Sequence, residues 1–180
     1  MYQRAGEVED SVRRVITGVD TDGRSVLEVD EPTPTVEFGP GFAVTDLWRV
    51  QEPPTSPMDG EAPTSYSFEP THGGAVFRVV TIPPDEVVEA SIAAGEKWGR
   101  NSPYRRTGED YGLHATATQD YVTVISGRVD LRMPDGEQVR LGPGDVVVQR
   151  GAEHAWRNPG PDQLVLHVVM IGTGTADRHP

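Results

Sequence analysis

The stretch GAEHAWRN, Gly151 to Asn158, stands between two valine-rich runs, DVVVQR (145–150) and LVLHVVMIG (164–172). Short apolar runs rich in β-branched residues and bounded by Gly or Pro read as strands. His154 therefore falls between two strands, and three readings are open for it: a metal ligand, a histidine packed in the core, or a surface residue in a turn. Side chains alternate along an extended backbone, so His154, Trp156 and Asn158 share one face. If His154 points inward, Trp156 does too, as an aromatic wall for an organic substrate or as core.

Upstream, the strand pattern repeats. LHAT (113–116), YVTVIS (121–126), GRVDLRM (127–133) and EQVRL (137–141) follow one another, with turns at Pro134-Asp135-Gly136 and Pro143-Gly144-Asp145. AVFRVVTI (75–82) is another strand, ended by Pro83-Pro84, and GFAVTDLWRV (41–50) alternates well enough to be one more. SVRRVIT and RSVLEVD flank a turn at Asp22-Gly23 and read as a β-hairpin. DEVVEASIAAG (85–95) is the one short helix, with Asp85 at its start and Gly95 at its end. The proline-rich segment from Gln51 to Gly74 is a long loop placed to cover something, and GEKWGRNSPYRRTGEDYG (95–112) is a polar loop. Many short strands at near-regular spacing predict an all-β sandwich or barrel. One domain over residues 11–172 is expected, with 1–10 and 173–180 as loose ends.

Composition narrows the function classes. The chain of 180 residues has no cysteine, which excludes disulfides, thiolate chemistry and cysteine-based zinc sites. A net charge of −12 opposes binding to nucleic acid, because that depends on neutralising phosphates. MYQRAGEVEDSVRR has no apolar signal-peptide core, and no run approaches membrane-spanning length. A cytoplasmic protein with neither nucleic-acid nor membrane partners is the expectation.

Two blocks carry chemistry. HATATQDYVTVISG (114–127) and GAEHAWRN (151–158), joined through the Pro-Gly-Asp turn, resemble the two motifs of the cupin superfamily, G-x5-H-x-H-x3,4-E-x6-G and a second ending in G-x2-H-x3-N. The resemblance covers roughly residues 108–171 and is to small single-domain cupins of microbial secondary metabolism. It implies a cupin-type jelly-roll β-barrel, with the N-terminal hairpin as extra strands beside the one short helix. His114 matches the first histidine, Asp120 falls where the glutamate belongs, His154 matches the second-motif histidine, and Asn158 the closing asparagine. Thr116 replaces the remaining histidine and Gln149 a proline.

Carried over, the resemblance makes His114, Asp120 and His154 the ligands of one divalent metal. Two imidazoles and a carboxylate suit Zn or Fe(II), with Mn and Ni as further choices. Thr116 and Trp156 would then face a small-molecule substrate. The implied activity is metal-dependent and of lyase or isomerase type (dehydratase, cyclase or decarboxylase) in natural-product biosynthesis. An Fe(II)-dependent oxygenase at the same triad and a metal-free ligand-binding barrel are the alternatives. Tyr121 and Glu153 are candidates for moving a proton, with Tyr111 also available. His167 reads as a spare ligand or a packed residue, and His72 and His179 have no assigned role. A homodimer is expected, because cupins commonly pair through their sheets and the N-terminal strands otherwise leave an edge exposed.

Overall fold

In a computed structural model of the protein, the described residues are 11–99 and 111–174. The expected loose N-terminus (1–10), most of the polar loop and the last six residues, with His179, lie outside them.

The chain opens with an antiparallel hairpin, β1 (Val12–Val19) and β2 (Ser25–Thr33). There follow β3 (Val36–Gly39), β4 (Phe42–Val50), β5 (Ala75–Ile82), α1 (Asp85–Ala93), β6 (Thr118–Ser126), β7 (Val129–Arg132), β8 (Gln138–Leu141), β9 (Val146–Arg150), β10 (Ala155–Arg157) and β11 (Leu164–Gly172). Six strands form one sheet in the order β3-β4-β5-β11-β6-β9, and three form another in the order β10-β7-β8. The result is an all-β jelly-roll barrel with an extra N-terminal hairpin and one short helix, as the strand pattern leads one to expect. No helix among the described residues is long and apolar enough to cross a membrane.

Alternation decides what fills the barrel. Along β11, Leu164, Leu166, Val168 and Met170 are buried, while their odd-numbered neighbours face outward. Full burial of side chains such as Leu164 and Leu166 stabilises the fold by roughly 1.5–3 kcal/mol each. On β6 the inward set is Thr118, Asp120, Val122 and Val124. Its polar members lie at one end of the strand and its apolar members at the other, so the polar groups that β6 turns inward are gathered at one end.

Two turns hold this arrangement. Asn158 is fully buried and donates through Nδ2 to the carbonyls of Ile82 and Asp162. Its backbone exchanges hydrogen bonds with Asp85: Asp85 N–H donates to Asn158 O, and Asn158 N–H to the Asp85 carboxylate. The start of α1 is thereby tied to the end of β10. Between β6 and β7, Gly127 has a φ of 82°, and a Cβ there would stand 2.8 Å from Leu164 Cα and Gln163 O.

The structure differs locally from the sequence reading. LHAT is not a strand: His114 makes a single antiparallel bridge to His154, and β6 begins at Thr118. The four-residue β3 escaped notice because so short a segment shows no clear alternation.

Replacing Gly127 by alanine combines positive-φ strain with a backbone clash. It should cost on the order of 1–3 kcal/mol, read as a lower urea midpoint at unchanged m-value.

Candidate functional site

The barrel encloses a cavity of about 690 Å³, its open mouth included. Phe42, Val44, Ile82, Leu166 and Met170 supply apolar wall, whereas His114, Thr116, Asp120, His154 and Arg78 gather the polar groups. Phe68 and Trp156 also line it, Phe68 edge-on to the His114 ring at 6.0 Å and Trp156 edge-on to His154 at 5.4 Å.

The two histidines meet because their backbones pair. His114 N–H donates to His154 O at 3.0 Å and His154 N–H to His114 O at 2.9 Å, which brings the rings to 4.6 Å between centroids. His114 Nδ1 lies 2.9 Å from Gly112 O. A carbonyl only accepts, so Nδ1 carries the proton and Nε2 keeps a lone pair. His154 Nδ1 has two neighbours, Ala152 O at 2.8 Å and the Gln149 amide nitrogen at 2.9 Å, and Gln149 itself donates to Ala152 O. With its proton on Nδ1 the ring donates to Ala152, and with its proton on Nε2 it accepts from Gln149. Both neutral tautomers are accommodated. Burial keeps the rings neutral: it lowers the His114 pKa and, with the neighbouring His114 adding to it, lowers that of His154 to about 4.

Asp120 behaves in the opposite sense. Burial raises its pKa to about 6, against a hydrogen bond from Thr118 and the charge of Arg78, which pull it down. Its Oδ1 is buried with no hydrogen-bond partner. Thr118 Oγ1 lies 2.7 Å from Thr116 Oγ1, so Thr116, Thr118 and Asp120 form a polar row on the inward face.

Of the residues named from sequence, His114, Thr116, Asp120, His154 and Trp156 share this cavity. Tyr121 does not: it follows Asp120 on a pleated strand, faces outward and is 46% exposed. Glu153 is exposed at the turn before His154, outside the cavity lining, and its charge bears on His114. Both are corrected as proton-transfer candidates. Tyr111 is buried and donates to Glu89, likewise away from the cavity lining. His167 faces the outer side, edge-on to Phe77. Unforeseen are Phe68 and Tyr66 from the long loop, Arg78, Gln149, and Glu69, whose charge bears on both His114 and Asp120.

The donor set fits a divalent cation in part. Two neutral imidazoles side by side are suitable nitrogen donors, and a backbone carbonyl on Nδ1 is the usual means of orienting such a ligand. An orphaned carboxylate oxygen in the same cavity adds oxygen chemistry. Yet among the described residues no three His, Asp or Glu side chains are gathered closely enough to hold an ion. Of the triad expected from sequence, His114 and His154 stand together as an imidazole pair, and Asp120 lines the same cavity.

Residues 106–170 match the family described as Cupin domain. Oryzines biosynthesis cluster protein J of Aspergillus oryzae is 46% identical over 59 residues, 32% of this chain and 33% of that protein. The cupin-domain-containing oxidoreductase fogC of Aspergillus ruber is 27% identical over 154 residues, 82% of this chain and 64% of that protein. The chain thus spans about a third of the first relative's length and just under two thirds of the second's. Among solved structures, a Cupin 2 conserved barrel domain protein from Salinispora arenicola is 17% identical, covering 76% of this chain and 81% of its own, with a TM-score of 0.40. The cupin-domain match thus covers residues 106–170, the stretch that carries both histidines and the strands β6 to β10.

Proposed function

We propose that the protein is an enzyme of natural-product biosynthesis that transforms a small organic molecule inside the barrel, by lyase or isomerase chemistry. One observation carries this reading: a pair of neutral imidazoles in an apolar cavity that also holds a carboxyl group whose pKa burial raises to about 6. His114 and His154 would hold a divalent ion, which when bound supplies a Lewis acid for a carbonyl or enolate oxygen. Asp120 Oδ1, free of partners, takes and returns a proton near neutral pH. Thr116 orients a substrate oxygen or a water, and Phe68 and Trp156 exclude solvent on either side. Relatives named as biosynthesis-cluster proteins support the metabolic setting.

A second reading is iron-dependent oxidation at the same histidines. It is favoured by the relative that matches most of this chain and is named an oxidoreductase.

Elemental analysis of the purified protein tests the metal. Zinc, iron, manganese or nickel should be retained by wild type and by Thr116→Ala, and lost from His114→Ala and His154→Ala. Iron accompanied by oxygen uptake selects the second reading. A wild type that takes up none of the four leaves a metal-free ligand-binding barrel.

The two buried groups also set opposed pH dependences in the chelated protein. His154, neutral when folded, contributes stability that is present above about pH 6.5 and lost as pH falls toward 4. Asp120, whose folded pKa is raised, does the reverse: stability is regained as pH falls from about 6 toward 3.8. Each amounts to on the order of 3 kcal/mol, so they offset in wild type. Urea melts between pH 6.5 and 4 should show Asp120→Asn losing stability relative to wild type, and His154→Gln gaining it.

We also propose a homodimer. Val148, Tyr121, Val169 and Phe77 stand in register across β9, β6, β11 and β5 on the outer face, without an acidic residue in a chain of net charge −12. Such a row suits a second copy of itself better than a partner selected by charge. Light scattering should give a dimer that Tyr121→Asp dissociates. A wild-type monomer at high concentration overturns this.

A further inference from the structure

Asp46 on β4 is 7% exposed and lies between two equally buried arginines, Arg49 at 8% and Arg78 at 5%. Arg49 Nη2 donates to Asp46 Oδ2 at 2.9 Å and to the carbonyl of Ser65 at 2.9 Å. Arg78 Nε stands 2.9 Å from Asp46 Oδ1, its Nη2 donates to Ser67 O at 2.8 Å, and its Nη1 to Phe68 O at 3.1 Å. Three carbonyls of the long loop are therefore held by two guanidinium groups that share one carboxylate. Burying two cations with one anion is expensive, and a well-packed apolar set of similar volume commonly serves stability as well. What the ionic set supplies instead is a fixed position for the Ser65–Phe68 backbone.

That position shapes the cavity. The Tyr66 ring is fixed between Phe38, at 4.6 Å, and the Arg78 guanidinium, at 5.1 Å. Phe68 meets His114, and on the other side Trp156 meets His154, so the imidazole pair lies between two aromatic side chains. A ligand seated over the histidines contacts flat, polarizable surfaces, which favour an aromatic ring beyond the area it buries.

We propose that Asp46 is a positioning residue for ligand selection: through Arg49 and Arg78 it holds the Ser65–Phe68 wall that makes the cavity prefer a planar aromatic molecule bearing one oxygen substituent over its saturated counterpart. This rests on the reading that the cavity takes a small organic molecule, and it adds the substrate class.

Calorimetric titration with 2-naphthol and with its saturated analogue decahydro-2-naphthol tests it, because the ratio of the two dissociation constants reports selection rather than stability. Wild type should favour the aromatic probe by about tenfold. Asp46→Asn should bring the ratio close to one, as should Phe68→Leu, which alters the wall without touching the ions. If Asp46→Asn does not fold by circular dichroism, Arg49→Met replaces it. That variant leaves a charge-balanced Asp46–Arg78 pair, releases Ser65, and should lower the ratio too. A ratio unchanged in the folded ion-set variant, with both affinities reduced alike, overturns the positioning role. A wild type that binds both probes equally also overturns it, while the small-molecule reading stands. A wild type that binds neither probe removes that reading and this inference together.

Discussion

The site depends on one reciprocal pair of backbone hydrogen bonds, between His114 and His154. The two residues lie 40 positions apart in the chain, outside the named strands. Only the bridge sets their side chains side by side. Because the bonds are made by the main chain, they tolerate changes in ring protonation or ligation. The rings can exchange partners while their Cα atoms stay where the barrel puts them.

Burial then does two opposite things within one cavity. It makes histidine a weaker base and aspartic acid a weaker acid, since either charge loses water. Each group answers mainly to its own desolvation, the largest cause of either shift. A neutral donor pair and a carboxyl ready to exchange a proton near neutrality are thus consequences of one apolar cavity rather than of separate devices. The Thr116–Thr118–Asp120 row follows from the same geometry, being alternate residues leading onto one strand.

Much of this was legible in the sequence. Alternation in LVLHVVMIG and TQDYVTVIS, with turns between the segments, points to the barrel, and the resemblance of the two blocks to cupin motifs implies that His114 and His154 share one site. The same alternation already turns Tyr121 away once Asp120 is placed inward, so its assignment was an error of parity rather than of information. Asp46, Arg49 and Arg78 also left a trace, as charges inside GFAVTDLWRV and AVFRVVTI, where an inward strand position needs a buried partner. The partners themselves were not legible. They are carbonyls of a loop without periodicity, and main-chain acceptors look the same whatever side chain they carry. Gln149 signalled itself by standing in for a proline, but its hydrogen bond to the His154 ring depends on the path of the turn between them.

The carbonyl anchoring of the Ser65–Phe68 segment has a consequence for how this barrel diverges. Ser65, Ser67 and Phe68 are held by oxygens that any residue supplies. Side chains there can be exchanged without loosening the attachment, whereas loss of Asp46 strands two buried guanidinium groups and loss of either arginine releases the loop carbonyls it holds. Mutational tolerance is therefore divided: an invariant ionic clasp on the strands, and a freely rewritable surface lining the cavity. Libraries diversified at positions 66 and 68 alone would sample new ligand preferences on an unaltered scaffold.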